Sequence, residues 1–96
     1  MRRAAKVDAN QDQIVSALRA AGVLVLSMAA LGKGVPDLLC AFHGRLVLLE
    51  VKDGRKPPSA RKLTPDQEEF HKAWESVPLY VVENPYDALK ACGCVL

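Results

Sequence analysis

Nothing in this chain is long and apolar enough to cross a bilayer as a helix. Its longest apolar runs, Val23 to Met28 and Val35 to Phe42, are strand-sized, far short of the ~20 residues a membrane helix needs. The basic start Met1-Arg2-Arg3-Ala4-Ala5-Lys6 has no apolar segment behind it, so a secretory signal is not expected and a cytoplasmic protein is. Cysteine is scarce: Cys40, Cys92 and Cys94 are an odd number, which argues against a disulfide framework. Cys92 and Cys94 lack a second ligand pair at zinc spacing, and Cys40, inside an apolar run, reads as a small core residue. Gly32-Lys33-Gly34 lacks the pattern of a nucleotide loop. Repeats and low-complexity tracts are missing. Charge of one sign does not dominate either, since the net charge is only +2.

What is present suits one folded domain of 96 residues, 50% hydrophobic and 25% charged, enough for a single core. Charge is unevenly placed. Between Lys52 and Lys62 five cations (Lys52, Arg55, Lys56, Arg61, Lys62) face the single acid Asp53, which makes that loop a candidate phosphate binder.

Residues 1–7 read as a basic, poorly ordered arm. Asp8 looks like a helix N-cap, with Gln11 completing a capping box. Ile14, Val15, Leu18 and Ala21 then form an apolar stripe that Gly22 stops. Val23 to Leu26 is a strand. Val35 to Phe42 and Arg45 to Val51 are two more, joined by a His43-Gly44 hairpin turn. Both are apolar on both faces, so they are expected at the centre of a sheet covered by helices on each side. Thr64-Pro65-Asp66-Gln67 is a helix start with cap, proline, acid and capping-box glutamine. Phe70, His71 and Trp74 share that helix's inner face. Leu79 to Val82 is a last strand, and Asn84-Pro85 opens a short helix through Ala91. The expected class is α/β: a central mixed sheet of about four strands flanked by helices.

The hairpin carries the chemistry. A two-residue turn pairs Phe42 with Arg45 and, stepping outward, sets Asp37 opposite Glu50, on one face with Lys52. Opposed carboxylates repel. A divalent ion such as Mg²⁺, held by Asp37, Glu50 and the Val51 backbone carbonyl, resolves that repulsion and can activate water for attack on a phosphodiester. Lys52 would orient that water or stabilise the phosphate. The plain alternative is a charged strand end, common wherever a strand leaves the core.

These residues resemble a known signature. Val35-Pro36-Asp37 followed across a hairpin by Glu50-Val51-Lys52 looks like the PD-(D/E)XK nuclease motif. More narrowly, Gly34-Val35-Pro36-Asp37-Leu38-Leu39, Gly44-Arg45, Leu49-Glu50-Val51-Lys52-Asp53-Gly54 and Leu63-Thr64-x-x-Gln67-x-x-x-His71 resemble the VRR-NUC family, from about Asp8 to Gly93. The resemblance implies a restriction-endonuclease-like fold and a Mg²⁺- or Mn²⁺-dependent DNA endonuclease. It implies branched substrates such as four-way junctions, a homodimer, and a role in DNA repair in a bacterial or phage-infected cell. Asp37 and Glu50 would be metal ligands, Lys52 the catalytic lysine, and Gln67 an active-site residue, although the capping box accounts for Gln67 equally well. Related nucleases place a glutamate where this chain has Gln11, which supplies no charge and also reads as a cap. The alternative function is a non-catalytic DNA-binding module of a replication or repair complex; a protein-interaction domain is a more distant one. His71, four residues after Gln67, could reach the site but reads more simply as a core-edge histidine, and His43 reads as a turn residue. Lys33, Arg55, Lys56, Arg61 and Lys62 are the expected DNA-backbone contacts.

Overall fold

The computed structural model describes residues 8–95, so the arm expected over residues 1–7 lies outside the described residues. Helix α1 (Gln11–Ala20) leads to β1 (Leu24–Ser27) and a single 3₁₀ turn at Ala29–Leu31. The hairpin β2 (Leu38–Phe42) and β3 (Arg45–Val51) follows, then a 3₁₀ turn at Pro58–Ala60, α2 (Pro65–Ala73), β4 (Leu79–Val82) and α3 (Pro85–Ala91). The sheet order is β1-β2-β3-β4, antiparallel except for the parallel β3–β4 pair. This is the small α/β domain with a four-stranded mixed sheet that the patterning implies, and the two most apolar strands are central.

The hairpin register is the expected one: Phe42 pairs with Arg45 and Leu38 with Leu49. His43 and Gly44 take φ of 50° and 79°, the pair of left-handed residues that a tight hairpin turn matched to strand twist requires. Strand β2 starts at Leu38 rather than Val35. Pro36 has no N–H to give a ladder, and the 34–37 segment remains a loop. At β1 the boundary moves by one residue.

One face of the sheet carries the core. Leu38, Cys40, Val47, Leu49, Val51 and Val82 are buried against Ile14 and Leu18 of α1 and Ala88 and Cys92 of α3. Cys40 is the small core residue expected. The second face departs from expectation, because helices do not cover all of it. There Leu24, Leu26 and Leu46 are 73%, 60% and 58% exposed. Alternation along a strand shows that both faces are apolar, but it cannot show whether a helix of the same chain reaches each. Helix α2 touches the Glu50 end, buries none of its own residues fully, and leaves Trp74 48% exposed while it stacks on Phe70 with ring centroids 5.0 Å apart.

The start of α1 also differs. Its N-cap is Asn10, not Asp8, and no side chain caps it. The Asn10 amide is instead buried and donates to the carbonyls of Lys52 (3.1 Å) and Glu83 (2.9 Å). It ties the helix to the ends of β3 and β4, a task that no local pattern reveals. The later caps are as expected: Thr64 and Gln67 complete a capping box, and Asn84 accepts from the Asp87 N–H at 2.9 Å.

Candidate active site

Strand β3 leaves the core through Glu50, Val51, Lys52 and Asp53, all buried. Glu50 is 1% and Lys52 8% exposed. Two opposite charges at such depth are costly unless each is well bonded, so these positions are not an ordinary charged strand end.

Asp37 stands one residue before the first β2 pair. Its Oδ2 accepts from the Val51 N–H at 2.7 Å, which turns the carboxyl toward the end of β3. There it approaches the Glu50 carboxyl, which the hairpin register sets opposite it. Burial, and then this contact with Asp37, push the Glu50 carboxyl up to about 9, with Lys52 opposing. In the metal-free protein Glu50 is therefore held neutral at pH 7.

Helix α2 brings the rest. Gln67 bridges the acid and the base: its Oε1 accepts from Lys52 Nζ at 2.7 Å, and its Nε2 donates to Glu50 Oε2 at 3.2 Å. The same Oε1 accepts from the Thr64 N–H at 2.9 Å, so the cap and the site use one side chain together. The capping-box reading of Gln67 holds, and the same side chain also touches Lys52 and Glu50. Gly34 sets how close α2 comes. Its φ is +80°, and a Cβ there would collide with the Asp66 carbonyl and stand 2.9 Å from the Gln67 nitrogen.

His71, one turn after Gln67, is in the site rather than merely at the core edge. Its Nε2 lies 3.5 Å from Glu50 Oε1. Burial, and then the nearby Lys52 charge, lower its pKa, which favours the neutral ring. The i, i+4 spacing from Gln67 was the available signal. Gln11 is buried, and its Oε1 has no hydrogen-bond partner among the described residues. Its capping role is absent, as α1 starts on it.

The basic loop is placed differently from its reading in sequence. Arg55 forks onto Asp53 through two 3.0 Å bonds, holding the Asp53 carboxyl down at about 2. Lys56 pairs with Asp8 at 3.3 Å, and Arg61 with both oxygens of Glu83 at 3.2 and 3.1 Å. Asp8 and Glu83, distant in sequence, answer much of the charge that made the loop look like a phosphate binder. Among the described residues Lys62 forms no ion pair. Lys33 is exposed in a shallow depression beside Asp66 and Glu69, acidic company for a phosphate contact.

The donor set suits a hard divalent cation: two carboxyls, the adjacent Val51 carbonyl, and a Glu50 Oε1 that is buried without a partner. Among the described residues, no three His, Cys, Asp or Glu side chains already form a group able to hold an ion. The fit thus rests on the two acids, the carbonyl and water. No family model, curated protein or solved structure matches this chain.

Proposed function

We propose that the chain is a metal-dependent nuclease that hydrolyses DNA phosphodiesters, with a PD-(D/E)XK-type site of the kind the VRR-NUC resemblance implies. The observation that carries the reading is the set Asp37, Glu50, Lys52 and Gln67 gathered at the end of β3, with Glu50 and Lys52 buried and Asp37 and Gln67 half-buried. A structural role does not explain a neutralised acid and a lysine joined through one glutamine. Asp37, Glu50 and the Val51 carbonyl would hold Mg²⁺ or Mn²⁺, which supplies Lewis-acid activation of water and of the scissile phosphate. Lys52, fixed by Gln67, offers its ammonium to the charge that develops on the phosphate during in-line attack. Gln67 also orients the Glu50 carboxyl, and Asp37 is oriented by the Val51 N–H.

Branched DNA as substrate and a homodimer follow from the same resemblance. The bare apolar face at Leu24, Leu26 and Leu46 supports the second copy. It does so better than the apolar Met28–Leu31 segment, where Met28 and Ala29 are already half-buried. Among the described residues no helix is long and apolar enough to cross a membrane. The test is cleavage of labelled junction, flap and duplex DNA with Mg²⁺, Mn²⁺ or EDTA. Asp37→Ala, Glu50→Ala and Lys52→Ala should each abolish it. Undiminished cleavage in EDTA, or by the Lys52→Ala protein, would sink the mechanism.

A further inference from the structure

The chemistry above gives His71 no part, yet its ring stands against the central acid. Nε2 is 3.5 Å from Glu50 Oε1, and both atoms are buried without a hydrogen-bond partner. Two unpartnered polar atoms facing one another in the interior mark the place of something they share. A direct N–H···O bond belongs at about 2.7–3.2 Å, shorter than this separation. Two ligands of one divalent ion, each at ~2.1 Å from it, stand about 3.0 Å apart at a right angle and about 3.4 Å at the tetrahedral angle. The observed 3.5 Å is slightly wider than either, so a small closing of the two groups would let them share an ion. The ring is also well held. His71 lies one turn from Gln67 on a helix fixed by its capping box and by the close approach of Gly34.

We propose that His71 Nε2 is a metal ligand beside Glu50, so that the centre binds divalent cations of the transition series in preference to Mg²⁺. The inference rests on the metal-dependent reading of the site. Mg²⁺ takes oxygen ligands and keeps its waters, whereas an imidazole nitrogen favours transition-series ions. Asp37 and the Val51 carbonyl would complete the set only as the ion draws them in, since the three side chains do not already form an ion-holding group, and the site would be mixed nitrogen and oxygen rather than all oxygen.

Mn²⁺ reports this directly. Electron-spin-echo spectroscopy of the wild-type protein loaded with Mn²⁺ should show ¹⁴N modulation from a coordinated imidazole, and His71→Gln should lose it. Calorimetric titration should show Mn²⁺ bound more tightly than Mg²⁺ by the wild type. His71→Gln should weaken Mn²⁺ at least about tenfold, the low end of what losing even an outer partner of a metal site costs, and leave Mg²⁺ nearly unchanged. The spectrum of the wild type stands even if the variant misfolds. Binding that requires Asp37 and Glu50 but shows no nitrogen modulation overturns the role of His71 alone. Absence of Mn²⁺ binding, or binding indifferent to Glu50→Gln, overturns the metal centre with it.

Discussion

Glu50→Gln should make the metal-free protein more stable, by an amount that grows with pH. Glu50 is 1% exposed and its carboxyl sits at about 9 in the folded chain, against about 4.3 when unfolded. Folding therefore keeps a proton that the unfolded chain gives up. Stability from this group is fully present below pH ~4 and is lost as pH rises through the window up to about 9. The slope approaches ~1.4 kcal/mol per pH unit, so from pH 6 to 8 the ceiling is ~3 kcal/mol. Glutamine keeps the shape and the acceptor for Gln67 Nε2 but has no proton to lose, so only the wild type pays this penalty. The His71 shift has the opposite sign, because a lowered histidine pKa costs stability as pH falls. Both proteins carry that histidine, and the difference between them isolates Glu50. Thermal melts at pH 6, 7 and 8 in EDTA should show the variant's advantage widening by up to ~10–20 °C for a domain of this size. Saturating Mn²⁺ should then raise the wild type and not the variant, since only the intact site gains binding free energy on folding. Parallel pH profiles for the two proteins would refute the neutral, buried Glu50.

Gly34→Ala should destabilise by more than ~1 kcal/mol, because it pairs a left-handed backbone with a steric collision. It should abolish cleavage by pushing α2 and Gln67 off Lys52; a wild-type melt and full activity would contradict the packing at Asp66. On duplex DNA, Lys62→Ala should shallow the slope of log K against log salt by ~0.9. Arg55→Ala, whose fork is engaged by Asp53, should shallow it by clearly less, and equal slopes would mean that the ion pairs open on DNA. Replacing Leu24 and Leu46 together with lysine should turn a wild-type dimer into a monomer in sedimentation at micromolar concentration. An unchanged dimer would place the interface elsewhere.

Local patterning alone set most of the fold. A two-residue turn that needs left-handed backbone at His43 and Gly44 fixes the register of the hairpin. That register brings Asp37 to Glu50 and puts Lys52 two residues on. Period-2 and helical apolar patterns also placed every strand and helix to within a few residues, and Thr64 and Asn84 announced their helices through side chains that act over three positions. Such features are legible because their causes lie within one turn of chain.

Tertiary structure decided whatever depends on partners far along the sequence. Asp8 and Glu83 reach the basic loop only after folding, so a run of cations that looked free is largely paired. Asn10 anchors two strand ends, because the carbonyls it serves belong to residues 52 and 83. His71 meets Glu50 because Gly34 lets α2 approach that closely. The apolar second face of the sheet stays bare because α2 covers only the end that holds the acids. Sequence thus named the acid pair and the lysine. Burial, a property of the whole molecule, turned Glu50 from a charged strand end into a neutral acid facing an unpartnered imidazole.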